Sequence, residues 1–221
     1  MRFDVVLKGG RVFDPVHHVD ERLDIGIREG RIAELEKELP HGEETYDVSG
    51  LTVIPGVIDM HVHVTKLLGG RVGYYMAAKT GVTTIIYYAG PVTDISSQIS
   101  SHGCGMNVGC IDAVLPGEVG QSPSRTQVRR FLEQSLKNGS LGLKILGGHY
   151  PLTPESSRLC VEEANAKKVM IACHAGSTQQ RSDIYGLQEA VEFARGQRLL
   201  MAHINAYCRG NRYHYLEELR D

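Results

Sequence analysis

The stretch VIPGVIDMHVHV, residues 53–64, decides the fold and the chemistry that the sequence predicts. It carries two histidines, His61 and His63, in an otherwise apolar run that follows Pro55-Gly56. Alternate residues of a β-strand point to the same side, so a strand here would present both imidazoles on one face. A single strand histidine is usually an ordinary core residue, but two at this spacing would crowd each other and need partners. The pair therefore favours metal ligation over a purely structural role.

The composition indicates a globular protein with a substantial core and argues against several classes of partner. Of 221 residues, 42% are hydrophobic and 23% are charged, and the formal net charge is −2. There is no basic excess that would suggest nucleic acid, and no apolar run approaches the roughly 18 residues of a membrane span. The five cysteines form no CxxC pair, and the N-terminus lacks the apolar region of a signal peptide. We therefore expect a cytoplasmic protein with reduced thiols.

Residues 1–54 predict a small N-terminal β-rich, sandwich-like segment. Gly9-Gly10 and Glu29-Gly30 each lie between strand-like runs and predict the turns of two hairpins. A third extended segment covers residues 44–56. The pattern changes after Pro55, so we expect a second domain over residues 55–221.

The second domain alternates apolar, strand-like runs with segments of helical length. Strands are predicted over 56–62, 82–88, 108–114, 141–146, 168–173 and 198–203. Helices are predicted over 66–79, 91–101, 124–138, 154–167, 184–195 and 212–220. Such alternation indicates an α/β fold with a parallel sheet covered on both faces. These are six β/α units, whereas a closed (β/α)₈ TIM barrel has eight, so we predict an incomplete barrel of that type.

Three further residues lie where this fold places its ligands, at the carboxyl ends of parallel strands. His174 and His203 each end an apolar strand, which puts four imidazoles on one rim, and neutral imidazole is a common zinc ligand. Lys144 lies inside the apolar run LGLKIL, where an ammonium is costly to desolvate. It either reaches solvent at the strand end or has a lowered pKa and reacts with CO₂. The resulting carbamate would be an anion able to bridge two divalent ions about 3.5–4 Å apart.

The order of these motifs resembles the amidohydrolase superfamily. PGVIDMHVH is followed by GVTTII, then by a strand lysine and two strand-end histidines. The resemblance extends over essentially the whole chain and is greatest to the dihydroorotase, hydantoinase and D-aminoacylase branch. It implies that His61 and His63 bind one metal ion, that carboxylated Lys144 bridges two, and that His174 and His203 bind the second. The expected cofactor is zinc, up to two divalent ions per chain.

The same resemblance implies hydrolysis of a carbon–nitrogen amide bond in a small molecule. The short interval between His174 and His203 favours an N-acyl-amino-acid deacylase. D-aminoacylases themselves use a cysteine at the end of the second strand, which GVTTIIYYAGP lacks, so Lys144 is the better candidate for the bridge. A cyclic-amide hydrolase of the dihydroorotase or hydantoinase type is the alternative enzyme. A catalytically silent amidohydrolase-like scaffold is the alternative from a different class.

One element of the family pattern is missing from this sequence. Family members use an aspartate at the end of strand eight as the catalytic acid, and Asp112, Asp183 and Asp221 do not occupy that position. The catalytic residue is therefore unassigned. The sequence leaves three explanations open: a part of a longer protein, a short chain that gains the missing strands from copies of itself or from a partner, or a degenerate fragment.

Residues just after the strand ends are candidates for contacts with substrate. His149 and Tyr150 follow the fourth strand, and Arg209 follows the sixth. A guanidinium can bind a substrate carboxylate through two hydrogen bonds, although a surface role for Arg209 is equally consistent with its position. Asp59, two residues before His61, either orients a ligand histidine or stabilises a turn.

Overall fold

The computed structural model describes residues 2–64 and 70–209, without the side chains of residues 208 and 209. The chain divides into two compact units, Met1–Gly56 and Val57–Asp221, and each has its own sheet. The predicted helix over 212–220 lies outside the described residues, as do residues 66–69 of the helix predicted over 66–79.

The first unit is built on one five-stranded sheet. Its strands are β1 (Val5–Asp14), β2 (Val19–Arg28), β3 (Arg31–Glu36), β4 (Glu44–Asp47) and β5 (Thr52–Val53). Strand β1 pairs antiparallel with β2 and parallel with both β4 and β5. Phe3, Val6 and Leu39 are buried together as the apolar cluster of this unit.

The turn predicted at Gly9-Gly10 is wrong, because β1 continues through both glycines. The pairing of β1 with β2 shifts register between Leu7 and Gly10, which makes a β-bulge instead of a turn. Gly9 adopts a φ of 76°, and its N–H donates to Asp24 Oδ1 at 2.9 Å. The second predicted hairpin, which turns at Glu29-Gly30, is confirmed by the antiparallel pairing of β2 with β3.

Asp24, a buried carboxylate on β2, ties three segments of this unit together. It is 3% exposed and accepts hydrogen bonds from the N–H groups of Gly9 and Leu39. Its Oδ2 also lies 3.0 Å from the Lys8 ammonium, which in turn donates to the Leu39 carbonyl. Burial raises the pKa of Asp24, but the two N–H donors and Lys8 outweigh burial and hold the pKa below its ordinary value of 3.8.

The second unit contains a six-stranded, all-parallel sheet in the order β11-β10-β9-β8-β7-β6. The strands are β6 (Val57–Val62), β7 (Val82–Tyr88), β8 (Asn107–Ala113), β9 (Gly142–Leu146), β10 (Met170–His174) and β11 (Leu200–Met201). The helices are α1 (Arg71–Lys79), α2 (Val92–His102), α3 (Pro116–Val119), α4 (Arg125–Lys137), α5 (Pro154–Ala166) and α6 (Ile184–Ala194), followed by a 3₁₀ helix over Ile204–Arg209. The predicted α/β class and (β/α)₈ barrel type are confirmed, with six strands described.

The last strand is shorter than the predicted 198–203. The Asn165 side chain makes two hydrogen bonds to the backbone of Arg198. It donates to the Arg198 carbonyl at 2.9 Å and accepts from the Arg198 N–H at 3.2 Å. At the other end, His203 has a φ of 37°, outside the β region. Ladder pairing is therefore confined to Leu200 and Met201.

Strand alternation divides the apolar residues of the sheet between its two faces. Leu143 and Ile145 of β9 pack with Ile171 and Cys173 of β10 in the main core, together with residues of α4, α5 and α6. Lys144 lies between Leu143 and Ile145, so it projects from the opposite face. Among the described helices, none is both long enough and apolar enough to cross a bilayer.

We expect Asp24→Asn to lower the free energy of unfolding of the first unit by about 1–3 kcal/mol at pH 7, because an amide cannot accept from all three donors as a carboxylate does. A carboxyl with a lowered folded-state pKa stabilises above its unfolded pKa of 3.8 and loses this effect as pH falls through the folded value. The deficit of the variant should therefore shrink below about pH 4. Native-state hydrogen exchange of β1 and β2 amides measures this loss of stability at each pH.

The matched control is Asp20→Asn, which removes the exposed ion pair between Asp20 and Arg11 on the same hairpin. Exposed pairs contribute little, so exchange should change far less in this variant. An equal effect in both variants would contradict the structural role assigned to Asp24.

Candidate functional site

The structure brings the predicted ligand residues to one end of the parallel sheet. His61 is the second-last residue of β6, and His63 follows that strand directly. Lys144 lies in β9, His174 is the last residue of β10, and His203 comes two residues after β11. All five therefore come from the carboxyl-terminal halves or ends of four strands, where parallel α/β folds place ligands.

The four imidazoles form a cluster in which neighbouring rings lie as close together as two ligands of one metal ion. The ring centroids of His61 and His63 are 5.2 Å apart, and those of His61 and His203 are 5.5 Å apart. His174 and His203 are closer, with centroids 4.5 Å apart and Nδ1 of the first 3.0 Å from Nε2 of the second. Two imidazoles on one tetrahedral zinc ion have ring centres roughly 5 Å apart, so these spacings fit shared ligation.

The nitrogens nevertheless do not all point at a common centre. Within residues 2–64 and 70–209, no group of three or more His, Cys, Asp or Glu side chains is arranged to enclose an ion. His174 explains part of this, because Nδ1 faces His203 and Nε2 lies 2.8 Å from the Ser182 hydroxyl. The donor set and the ring spacings fit a divalent ion, and ligation would require rotation of the His174 ring away from these partners.

Lys144 is the buried cationic residue next to this cluster. It is 1% exposed, and its Nζ has no hydrogen-bond partner within the described part of the chain. The ammonium lies over the Tyr88 ring, 5.1 Å from the centroid. Burial lowers the pKa of Lys144 to about 8, and Cys173 offsets this only partly. A neutral amine is therefore accessible near physiological pH.

The imidazoles are kept neutral by the same environment. Burial, followed by the charges of Lys144 and of neighbouring histidines, lowers the pKa of His61 to about 4. Burial and the neighbouring His203 and His149 lower the pKa of His174 to about 3. The pKa values of His63 and His203 are also lowered, first by burial and then by Lys144. Neutral imidazoles carry the free lone pairs that metal ligation requires.

Two residues at the site escaped the sequence analysis. The Tyr88 ring stacks on His61 with centroids 4.5 Å apart, and Ser182 contacts His174. Tyr88 ends β7, so its place at a strand end was the signal that could have identified it. Ser182 lies eight residues beyond His174 in an irregular segment, and no pattern in the sequence marks it.

The three proposed substrate contacts have different outcomes. The His149 ring lies 4.5 Å from that of His174, so this residue joins the histidine cluster. Tyr150 is 57% exposed, and the side chain of Arg209 lies outside the described residues.

The described aspartates that the sequence analysis names accept hydrogen bonds from backbone N–H groups. Asp59 Oδ1 accepts from the His61 N–H at 3.2 Å, which is the contact of a turn partner. Asp112 and Asp183 accept from N–H groups at the starts of α2 and α6. Asp221 lies outside the described residues.

Known proteins resemble this chain in part of its sequence and in its fold. No protein-family model matches the sequence. The chain is 51% identical over 63 residues to a dihydroorotase of Geobacter metallireducens, which covers 28% of this chain and 15% of that protein. It is 36% identical over 94 residues to an allantoinase of Bacillus licheniformis, covering 39% of this chain and 20% of the other.

Solved structures match over much more of the chain. The N-acyl-D-glutamate deacylase of Bordetella bronchiseptica, solved with zinc, has a TM-score of 0.74 at 17% identity and covers 91% of this chain. The L-hydantoinase of Arthrobacter aurescens has a TM-score of 0.67 at 19% identity and covers 90%. The chain spans 51% and 52% of these two structures.

The names of these relatives agree with the resemblance to the amidohydrolase superfamily that the sequence motifs carry. The relatives of this chain by sequence are named dihydroorotase and allantoinase. The two solved structures share its fold.

We expect Lys144→Met to stabilise the protein in metal-free, CO₂-free buffer. An ammonium whose pKa falls from 10.5 to about 8 on folding carries a penalty of about 3 kcal/mol while both states are protonated. The penalty is full below about pH 8 and vanishes above 10.5, so the advantage of the variant should shrink across that window. Denaturant unfolding at pH 7 and pH 10 measures it.

Lys79→Met is the matched control, because the exposed Lys79 ammonium also lies over a tyrosine ring, 5.3 Å from the Tyr75 centroid. It should leave stability nearly unchanged. A Lys144→Met variant no more stable than wild type at pH 7 would show that the lysine is not desolvated as the structure indicates.

Proposed function

We propose that this chain is the metal-binding part of a zinc-dependent hydrolase that cleaves the carbon–nitrogen amide bond of a small molecule. The observation that supports this most directly is the cluster of four neutral imidazoles beside a buried lysine amine without a hydrogen-bond partner among the described residues. The Lys144 amine makes this cluster costly to maintain, because its Nζ is desolvated without compensation among the described residues. It becomes favourable once cations enter.

We assign the five candidate ligands as two pairs of histidines, one pair for each ion, and one lysine between the two ions. His61 and His63 would bind one ion, and His174 and His203 would bind a second. Lys144 would link them after its neutral amine attacks CO₂, forming a nitrogen–carbon bond and releasing a proton to solvent. The lowered pKa of Lys144, about 8, increases the fraction of amine that can react.

Bound divalent ions would supply Lewis-acid activation of water and of the amide carbonyl. The chain itself contributes pre-organisation and exclusion of water. Tyr88, which is fully buried, stacks on His61 and fixes the plane of that ring. Ser182 and His149 lie next to His174, in the segments that follow β10 and β9.

A deacylase of N-acyl amino acids is the substrate class that we favour. The deacylase and D-aminoacylase structures match about nine-tenths of the chain, with TM-scores of 0.74 and 0.71. The sequence matches favour the second candidate, a cyclic-amide hydrolase, because they include a dihydroorotase and an allantoinase. The proposal also includes a partner, either another copy of this chain or a different chain, that supplies the remaining barrel strands. The four cysteines whose side chains the structure describes are free, which is consistent with a reducing, cytoplasmic location.

Metal analysis of the full chain tests the proposal. We expect wild-type protein to hold up to two zinc ions and to gain the mass of one carbon dioxide, which Lys144→Ala should lose together with metal. Hydrolysis of N-acetyl-D-amino acids and of dihydroorotate, measured with and without a chelator, separates the two substrate classes.

His174→Asn should lower zinc content, whereas His102→Asn should not, because His102 is exposed and bonds to the adjacent Gly103 carbonyl. A folded wild-type chain that takes up no zinc would contradict the proposal and favour a silent scaffold. Zinc uptake without hydrolysis of either substrate class would retain the metal site and reject the enzymatic assignment of the chain alone.

A further inference from the structure

Tyr207, in the 3₁₀ helix after β11, contacts the backbone beside two of the candidate ligands. It is 1% exposed, and its hydroxyl donates to the Ala202 carbonyl at 2.8 Å. The same oxygen accepts from the Ala175 N–H at 2.8 Å. Ala202 directly precedes His203, and Ala175 directly follows His174. One hydroxyl therefore joins the two strand ends that carry these histidines.

The aromatic ring of Tyr207 touches the same pair. Its centroid lies 5.7 Å from that of His174, with the rings nearly perpendicular at 83°. It lies 5.6 Å from the centroid of His203, at an interplanar angle of 55°. Edge-to-face contacts of this kind restrict ring rotation in a packed site. Tyr207 thus restrains both the backbones and the imidazoles of His174 and His203.

The backbone of His203 needs such a restraint. Its φ of 37° lies in the left-handed region, which a histidine adopts only when the surrounding structure holds it there. The Ala202 N–H donates to the Cys173 carbonyl at 2.9 Å, and the Ala206 N–H donates to the His203 carbonyl at 2.8 Å. The Tyr207 hydroxyl completes this set by binding the Ala202 carbonyl.

The contacts of Tyr207 do not favour a role in binding substrate. The Tyr207 side chain is buried, and its hydroxyl already serves one donor and one acceptor of the main chain. Its effect on chemistry would therefore pass through the histidines that it holds.

We propose that Tyr207 is a positioning residue that sets the spacing of His174 and His203 before a divalent cation binds. The cation-binding part of this inference rests on the proposed function. Groups that orient metal ligands through hydrogen bonds affect metal affinity by about 10–100-fold when they are removed. Tyr207→Phe keeps the ring and deletes only the oxygen that joins the two strand ends.

Calorimetric titration of zinc chloride into the metal-free full chain tests the proposal. We expect Tyr207→Phe to bind zinc about 10–100-fold more weakly than wild type, while circular dichroism shows an unchanged fold. The matched control is Tyr74→Phe. Tyr74 is also buried, but its hydroxyl has no hydrogen-bond partner within the described residues, so zinc affinity should stay at the wild-type value.

Hydrogen exchange of the Ala175 amide in the metal-free wild type gives a readout that needs neither zinc nor a variant. We expect slow exchange in the wild type and fast exchange in Tyr207→Phe, with Tyr74→Phe resembling the wild type. Should Tyr207→Phe fail to fold, the wild-type exchange rate still decides. Exchange as fast as that of an exposed amide would overturn the proposal.

The outcomes separate this proposal from the proposed function. Tight zinc binding by wild type and by Tyr207→Phe alike would overturn the positioning role and leave the hydrolase proposal intact. No zinc binding by a folded wild type would overturn the hydrolase proposal and the cation-related part of this one. Weaker binding in Tyr207→Phe alone, with fast exchange at Ala175, would support both.

Discussion

The burial of the Lys144 amine is the constraint on which the candidate site depends. An ammonium with no hydrogen-bond partner among the described residues is destabilised by the loss of water, and the face of Tyr88 compensates only in part. The same burial, together with the lysine charge, keeps the nearby imidazoles neutral. His61, His174 and Lys144 are therefore poor cations and good electron-pair donors. Positive charge is best supplied there from outside the chain.

The position of that lysine follows from the packing on the opposite face of the sheet. Leu143 and Ile145 are fully buried in the main core, and strand geometry turns Lys144 away from them. The same alternation in β10 places Cys173 in the core and His174 at the site. The hydrophobic contacts that stabilise the sheet against α4, α5 and α6 thus determine the orientation of the polar residues. Because the core is rigid, the backbones of the strands that carry the candidate ligands can be held in place in the absence of any ion.

The sequence predicted this arrangement wherever a regular period governs the side chains. The strand over Val82–Tyr88 and the rim of His61, His174 and Lys144 follow from period-two alternation and from parallel topology. Prediction failed where a particular tertiary contact overrides a local signal. Gly9-Gly10 has the composition of a turn, but the bond from Gly9 to the distant Asp24 keeps β1 continuous. Ser182 reaches His174 through an irregular segment, which no periodicity describes.

Under the proposed function, metal binding and substrate selectivity would fall to different parts of the chain. The candidate ligands lie on strands or at their immediate ends, where ladder pairing and core packing fix the backbone. The residues that contact those ligands from outside, His149 and Ser182, lie in the segments that follow β9 and β10. Barrel enzymes vary these segments while retaining the strands. A deacylase structure and a hydantoinase structure both share the fold of this chain, so under the proposed function a difference in substrate would arise in these segments and not in the strands.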